Sequence, residues 1–133
     1  QALEDLTAGL SLDRVFFLGQ VAQQELLALY TLADAYLCLS EHEGFCVPLV
    51  EAMALGLPVV AREAAAVAET LGPAGLLLND PSPAQTAETL AALLADEGLR
   101  ALVATAQQER LALFQPQAVW ERFWSIIEPV VAT

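Results

Sequence analysis

Tyr36-Leu37-Cys38-Leu39-Ser40-Glu41-His42-Glu43-Gly44-Phe45-Cys46-Val47-Pro48-Leu49-Val50-Glu51 is the stretch that decides the fold. Tyr36–Leu39 reads as a buried central strand that delivers Ser40 and a loop at its carboxyl end. Ligands bind at that end of open α/β sheets. A helix from about Pro48 follows and stops at Gly56, with Pro58 beyond it as a breaker. Gly44 tolerates positive φ and lets the backbone approach a ligand closely. Pro48 suits the first helical position, where its missing N–H costs nothing. The unpaired amides around Phe45 to Leu49 then face outward at the positive end of the helix dipole, where phosphate binds without a lysine. Glu43 precedes this anion site and Glu51 lies about one turn into the helix. Each carboxylate is placed to accept hydrogen bonds from hydroxyls on either side of a phosphate.

Outward from this stretch, strands and helices alternate, which argues a parallel sheet covered on both faces. Val15–Leu18 is a short apolar run ended by Gly19. Gln24–Ala33 has helical spacing through Leu26, Leu27, Leu29, Tyr30 and Ala33. Val59–Ala61 is the next strand, Ala64–Leu71 a short helix, and Leu76–Leu78 an edge strand. Ser82 as N-cap, Pro83 at the first position and Gln85 three residues on predict a capping box opening a helix to about Ala95. A second helix covers about Leu99–Phe114. Pro116 opens the last, whose apolar face holds Val119, Trp120, Phe123, Trp124 and Ile127. The Trp120 and Trp124 pair, one turn apart in an apolar stripe, reads as core rather than as a sugar platform. The chain is one domain, 1–133, with a helical tail from about residue 83.

At 133 residues and 56% hydrophobic the chain can bury a sizeable core. Five arginines, no lysine and seventeen acids give a net charge of −12, a balance that repels nucleic acid and anionic lipid. No apolar run reaches the ~20 residues of a membrane helix, so no direct membrane binding is expected of this chain. Cys38 and Cys46 are too few and wrongly spaced for a disulfide scaffold or a zinc site. Both are expected reduced, in the cytoplasm, and no metal or cofactor is expected.

Ser40-Glu41-His42-Glu43-Gly44-Phe45, then Pro48, Glu51-Ala52-Met53-Ala54, Gly56 and Pro58-Val59-Val60-Ala61 together resemble the donor-binding signature of the retaining GT-B glycosyltransferases of glycosyltransferase family 4. Val15-Phe16-Phe17-Leu18-Gly19, Leu29-Tyr30 and Ala33-Asp34 match that pattern as well, and Glu69 and Gly75-Leu76-Leu77 match it more loosely. The resemblance covers nearly the whole chain. It implies a Rossmann-like α/β fold, part of the C-terminal domain of a GT-B architecture.

The implied substrate is a nucleotide-sugar, whose layout of sugar hydroxyls, diphosphate and ribose hydroxyls suits the loop. Glu43, Gly44, Phe45 and Cys46 would meet the donor sugar. Val47 and Leu49 would meet the phosphates, and Glu51 the ribose. No metal is needed in such a reaction, and no catalytic residue is expected in this chain. An N-terminal acceptor domain and an upstream Arg/Lys donor loop are expected elsewhere. The chain is therefore read as an enzyme fragment, inactive alone, and its bare apolar surface would favour self-association. The alternative is a non-catalytic Rossmann-like module that binds a nucleotide-sugar or a protein.

His42 and Glu41 read as exposed loop residues. Cys46 stands where the family usually has a second glycine, so its cost depends on whether the backbone there needs positive φ. Ala65-Ala66 stand where the family often has Gly-Gly, which favours a plainer helix in that loop. Glu69 reads as a helix-start or packing-edge acid rather than a ligand residue.

Overall fold

The computed structural model describes residues 2–131; Gln1, Ala132 and Thr133 of the expected 1–133 domain lie outside the described residues. Its frame is three short parallel strands, β1 (Tyr36–Cys38), β2 (Val59–Arg62) and β3 (Leu76–Leu78), in the order β1-β2-β3. Tyr36 pairs with Val59, and Val60 pairs with Leu76. The helices are α1 (Ala2–Gly9), α2 (Gln23–Leu32), α3 (Val47–Ala54), α4 (Val67–Leu71), α5 (Pro83–Ala95), α6 (Glu97–Leu111) and α7 (Pro116–Val131). A single 3₁₀ turn, Ala112–Phe114, joins the last two.

Side chains alternate across β2 with the period of a strand and divide the core in two. Val59 and Ala61 join Leu49, Met53, Val67 and Leu71 from α3 and α4. Val60, from the opposite face, joins Leu93 of α5 and Val103 of α6. Helices therefore cover both faces, the α/β layering expected of the strand–helix alternation.

Local chemistry sets several boundaries where the sequence places them. The Gln85 amide donates to Ser82 Oγ at 3.2 Å and the Ser82 amide to Gln85 Oε1 at 2.9 Å, completing the capping box of α5. At the end of α3, Gly56 takes φ +73°. Its amide donates to Met53 and that of Leu57 to Ala52, the paired bonds of a Schellman cap. Gly75 is needed for a different reason: a Cβ there would lie 2.8 Å from Leu71 Cδ2 and 2.9 Å from the Val59 carbonyl.

Four expectations are corrected. Tyr36–Leu39 is not a central strand: β1 is an edge of the described sheet, β2 is the central strand, and Leu37 is exposed. Val15–Leu18 joins no ladder, and all four side chains are exposed because no described element lies over them. The helix expected from Ala64 begins only at Val67, since Ala65 takes φ +46° and leaves the helical region. Trp120 and Trp124 stack on each other with centroids 6.0 Å apart, yet they are 58% and 45% exposed. They are not core, because the apolar face of α7 packs on nothing that buries it among the described residues.

Candidate functional site

The chain leaves β1 at Cys38, loops through residues 39–46 and enters α3 at Val47. The turn into the helix is made by Cys46, at φ +58° and ψ +63°. This left-handed conformation costs a residue with a Cβ roughly 1–2 kcal/mol. The positive φ that Gly44 was expected to supply is thus made by Cys46 two residues later. Gly44 does not have positive φ, and it faces open space. It leaves room for close approach from outside.

The left-handed turn points Cys46 inward. It is 4% exposed, and its Sγ lies 4.0 Å from Sγ of buried Cys38. Burial pushes the Cys46 thiol up to about 11, the neighbouring Cys38 sulfur adds to this, and a bond from the Leu49 amide pulls partly the other way. The Cys46 side chain is therefore turned into the core rather than toward solvent.

Pro48 is the second residue of α3 rather than the first, a position equally free of intrahelical N–H demand. The Leu49 amide donates to the Cys46 carbonyl at 3.0 Å and the side chain is fully buried. Leu49 is accordingly not an open anion contact, in contrast to the expectation. Among the described residues the amides of Phe45, Cys46 and Val47 have no protein acceptor. They are the donors this helix start offers to an anion.

Glu43 and Glu51 flank these amides, and both are half-buried. Glu51 Oε2 accepts from the Tyr30 phenol at 3.4 Å, and the same phenol reaches the Pro48 carbonyl at 3.5 Å. Burial raises the Tyr30 pKa, and the Glu51 charge raises it further. The sequence marked Tyr30 only as an inward helical position and as part of the resemblance, with nothing to link it to Glu51. Glu43 has its carboxylate near both sulfurs: the ligand atoms of Cys38, Glu43 and Cys46 all lie within 4.8 Å of one another. Its carbonyl accepts the Ala66 amide at 3.5 Å.

The loop before α4 and α4 itself hold the site loop in place. Thr70 Oγ1, buried, donates to the Phe45 carbonyl at 2.6 Å. The Phe45 ring meets Phe114 edge-on at 5.5 Å, and the Arg110 guanidinium lies 5.4 Å from the centre of the Phe114 ring. Arg110 also donates to the Thr70 and Glu69 carbonyls. A cleft of about 570 Å³ opens here, with Gly44, Phe45, Thr70, Arg110, Phe114 and Arg122 in its walls. The two arginines come from the helical tail, far from the motif in sequence, so spacing gave no sign of them.

His42 is exposed as expected, and Glu69 is exposed with its carbonyl serving Arg110. Glu41 is exposed but not simply solvated. It pairs with Arg62 at 2.6 Å, while the other arm of that guanidinium holds Asp80 at 2.7 Å.

A parallel sheet with a helix N-terminus and two carboxylates after the carboxyl end of β1 is an open α/β arrangement, a class whose ligands bind at that edge. The family described as Glycosyl transferases group 1 matches residues 1–110. The chain belongs to that family. Over 134 aligned residues it is 34% identical to an MMP alpha-(1->4)-mannosyltransferase of Mycolicibacterium hassiacum, covering 97% of this chain and 33% of the relative. It is 38% identical over 103 residues to a D-inositol 3-phosphate glycosyltransferase of Corynebacterium efficiens, covering 75% of this chain and 24% of the relative. The chain thus spans a third or less of these relatives.

Among solved structures, the C-terminal domain of a glycosyl transferase group 1 family protein from Francisella tularensis superposes with a TM-score of 0.71 at 31% identity. That match covers 84% of this chain and 59% of the other. A sucrose-phosphate synthase from Thermosynechococcus elongatus gives a TM-score of 0.77 at 29% identity over 98% of this chain and 34% of its own. The fold is that of a GT-B C-terminal domain. No described helix is long and apolar enough to cross a membrane.

Proposed function

We propose that residues 1–133 form the donor-binding part of a retaining, metal-independent glycosyltransferase of the cytoplasm. The parent enzyme moves a hexose from a nucleoside diphosphate sugar to a glycan or lipid-linked acceptor. The observation that carries this reading is the run of amides without a protein acceptor at Phe45, Cys46 and Val47, which follow the carboxyl end of β1 and lie in the chain between Glu43 and Glu51. Those amides stabilise the diphosphate as it leaves, by hydrogen bonds fixed in advance of the reaction. Glu43 accepts from the sugar hydroxyls, and Glu51, held by Tyr30, accepts from the ribose.

An acceptor domain supplied by the parent protein completes the enzyme, and this chain alone transfers no sugar. A non-catalytic module remains the competing reading, but the site loop argues for retained function. Cys46 and Ala65 both hold left-handed backbone without the help of glycine, so the loop keeps its shape at an energetic cost. The test is a panel of nucleotide-sugars titrated against the full-length protein, with Glu51→Ala as control. Saturable binding of one donor, lost in the control, supports the proposal. Absence of binding to every donor in the panel overturns it.

A further inference from the structure

The sequence separates Cys38 from Cys46 by a span that fits no metal motif, yet the fold closes it. β1 carries Cys38 to the edge of the site loop, and the left-handed turn at Cys46 folds its sulfur back over the strand. The sulfurs come to 4.0 Å. Two thiolates on one tetrahedral Zn²⁺, each at about 2.3 Å, stand about 3.8 Å apart. The pair is therefore set at the edge length of such a site with almost no movement. A carboxylate oxygen of Glu43 is the third donor, within 4.8 Å of both sulfurs. Glu43 sits on the loop and is only half-buried, so its side chain has freedom to close the remaining distance.

The geometry points to Cys38, Cys46 and Glu43 as a binding site for one thiophilic divalent cation, Zn²⁺ or Cd²⁺, with a fourth position left to water. Two sulfurs and one carboxylate are a donor set that suits such ions and not Mg²⁺ or Ca²⁺, which take oxygen ligands. On binding, each thiol passes its proton to solvent as its metal–sulfur bond forms, and no electrons are transferred.

The consequence is inhibitory, and this part rests on the donor-site reading given above. Glu43 cannot coordinate the metal and accept hydrogen bonds from the donor sugar at once. The cation therefore competes with the nucleotide-sugar but not with the nucleoside diphosphate, which makes no use of Glu43.

The experiment is a titration of the reduced full-length protein with Cd²⁺ alone, under a phosphine reductant that keeps both cysteines as thiols. The expected result is one equivalent of Cd²⁺ taken up with thiolate-to-metal absorption, and loss of that equivalent in Cys46→Gly. Glycine suits the left-handed backbone, so that variant keeps the turn. Glu43→Gln should retain the absorption at reduced affinity. Absence of thiolate absorption at stoichiometric Cd²⁺, or the same uptake in Cys46→Gly, overturns the site. Cd²⁺ and nucleotide-sugar binding together without mutual effect overturns the exclusion. Failure of the nucleotide-sugar to bind the metal-free protein is a failure of the donor reading instead, and the Cd²⁺ titration is read independently of it.

Discussion

The Tyr30 phenol donates to the Glu51 carboxylate at 3.4 Å, tying α2 to the first turns of α3. Tyr30→Phe removes that donor while keeping the ring that lies 5.8 Å from Tyr36. Glu51 is then free to turn away from the ribose position. The expected effect is a loss of about 0.5–1.5 kcal/mol in binding of nucleoside diphosphate and nucleotide-sugar alike. Calorimetry of the full-length variant checks it, and unchanged affinity would show that Tyr30 does not position Glu51.

The same residue sets a pH dependence. Burial and the Glu51 charge hold the folded-state pKa of Tyr30 above its ordinary 10.0. The folded protein therefore binds the phenolic proton more tightly than the unfolded chain does. Its contribution is complete below the unfolded pKa and is lost as pH rises through the folded one. Wild-type stability should fall more steeply than that of Tyr30→Phe above about pH 10. Urea melts of both proteins across that range measure the difference, and parallel curves would remove Tyr30 as its source.

Cys46 separates strain from packing. Cys46→Ala keeps the left-handed strain and loses the buried sulfur, so it should destabilise by roughly 1–2 kcal/mol. Cys46→Gly loses the same sulfur but relieves the strain, so it should lie closer to wild type. With Sγ turned toward Cys38, the donor profile should stay the same in both. Denaturant melts and a nucleotide-sugar panel test this. A widened sugar tolerance in Cys46→Gly would show instead that the Cys46 side chain crowds the donor sugar.

Much of this loop is legible in the sequence. Gly56 and Pro58 marked the end of α3, Ser82 and Gln85 the start of α5, and the interval from Tyr36 to Glu51 the strand–loop–helix unit. These are local signals, each set by a backbone preference or a side-chain cap. What stayed hidden depended on contacts between distant elements. Neither the Tyr30–Glu51 bond nor the Arg110 and Arg122 walls of the cleft has a fixed spacing. Cys38 and Cys46 meet only because Cys46 adopts a conformation that its residue type disfavours. Trp120 and Trp124 depart from the core position that their spacing suggests for the opposite reason. Periodicity identifies an apolar face but not what covers it.

Gly75 is held between Leu71 and the Val59 carbonyl, and one contact is with backbone that cannot step aside. Gly75→Ala should force β3 from β2 and cost about 1–3 kcal/mol. A fall in the urea midpoint without change in slope would report the loss. An unchanged midpoint would mean the turn absorbs a methyl.

The two glutamates divide the donor between them. Glu51, in α3 and held by Tyr30, belongs to the ribose end, and Glu43, on the loop beside the sulfurs, to the sugar end. Glu51→Ala should weaken nucleoside diphosphate and nucleotide-sugar by the same ~1–3 kcal/mol, the usual loss for hydrogen bonds to a charged group. Glu43→Ala should leave nucleoside diphosphate binding nearly intact while lowering turnover and sugar-dependent affinity. Both variants are to be measured in the full-length enzyme, by calorimetry with the nucleoside diphosphate and with its sugar conjugate. The discriminating quantity is the difference between the two ligands in the affinity each variant loses relative to wild type. For Glu51→Ala that difference should vanish, and for Glu43→Ala it should carry the whole effect. Equal loss of diphosphate binding in both would refute the division. The carboxylates would then shape the loop that presents the Phe45, Cys46 and Val47 amides rather than contact the donor themselves.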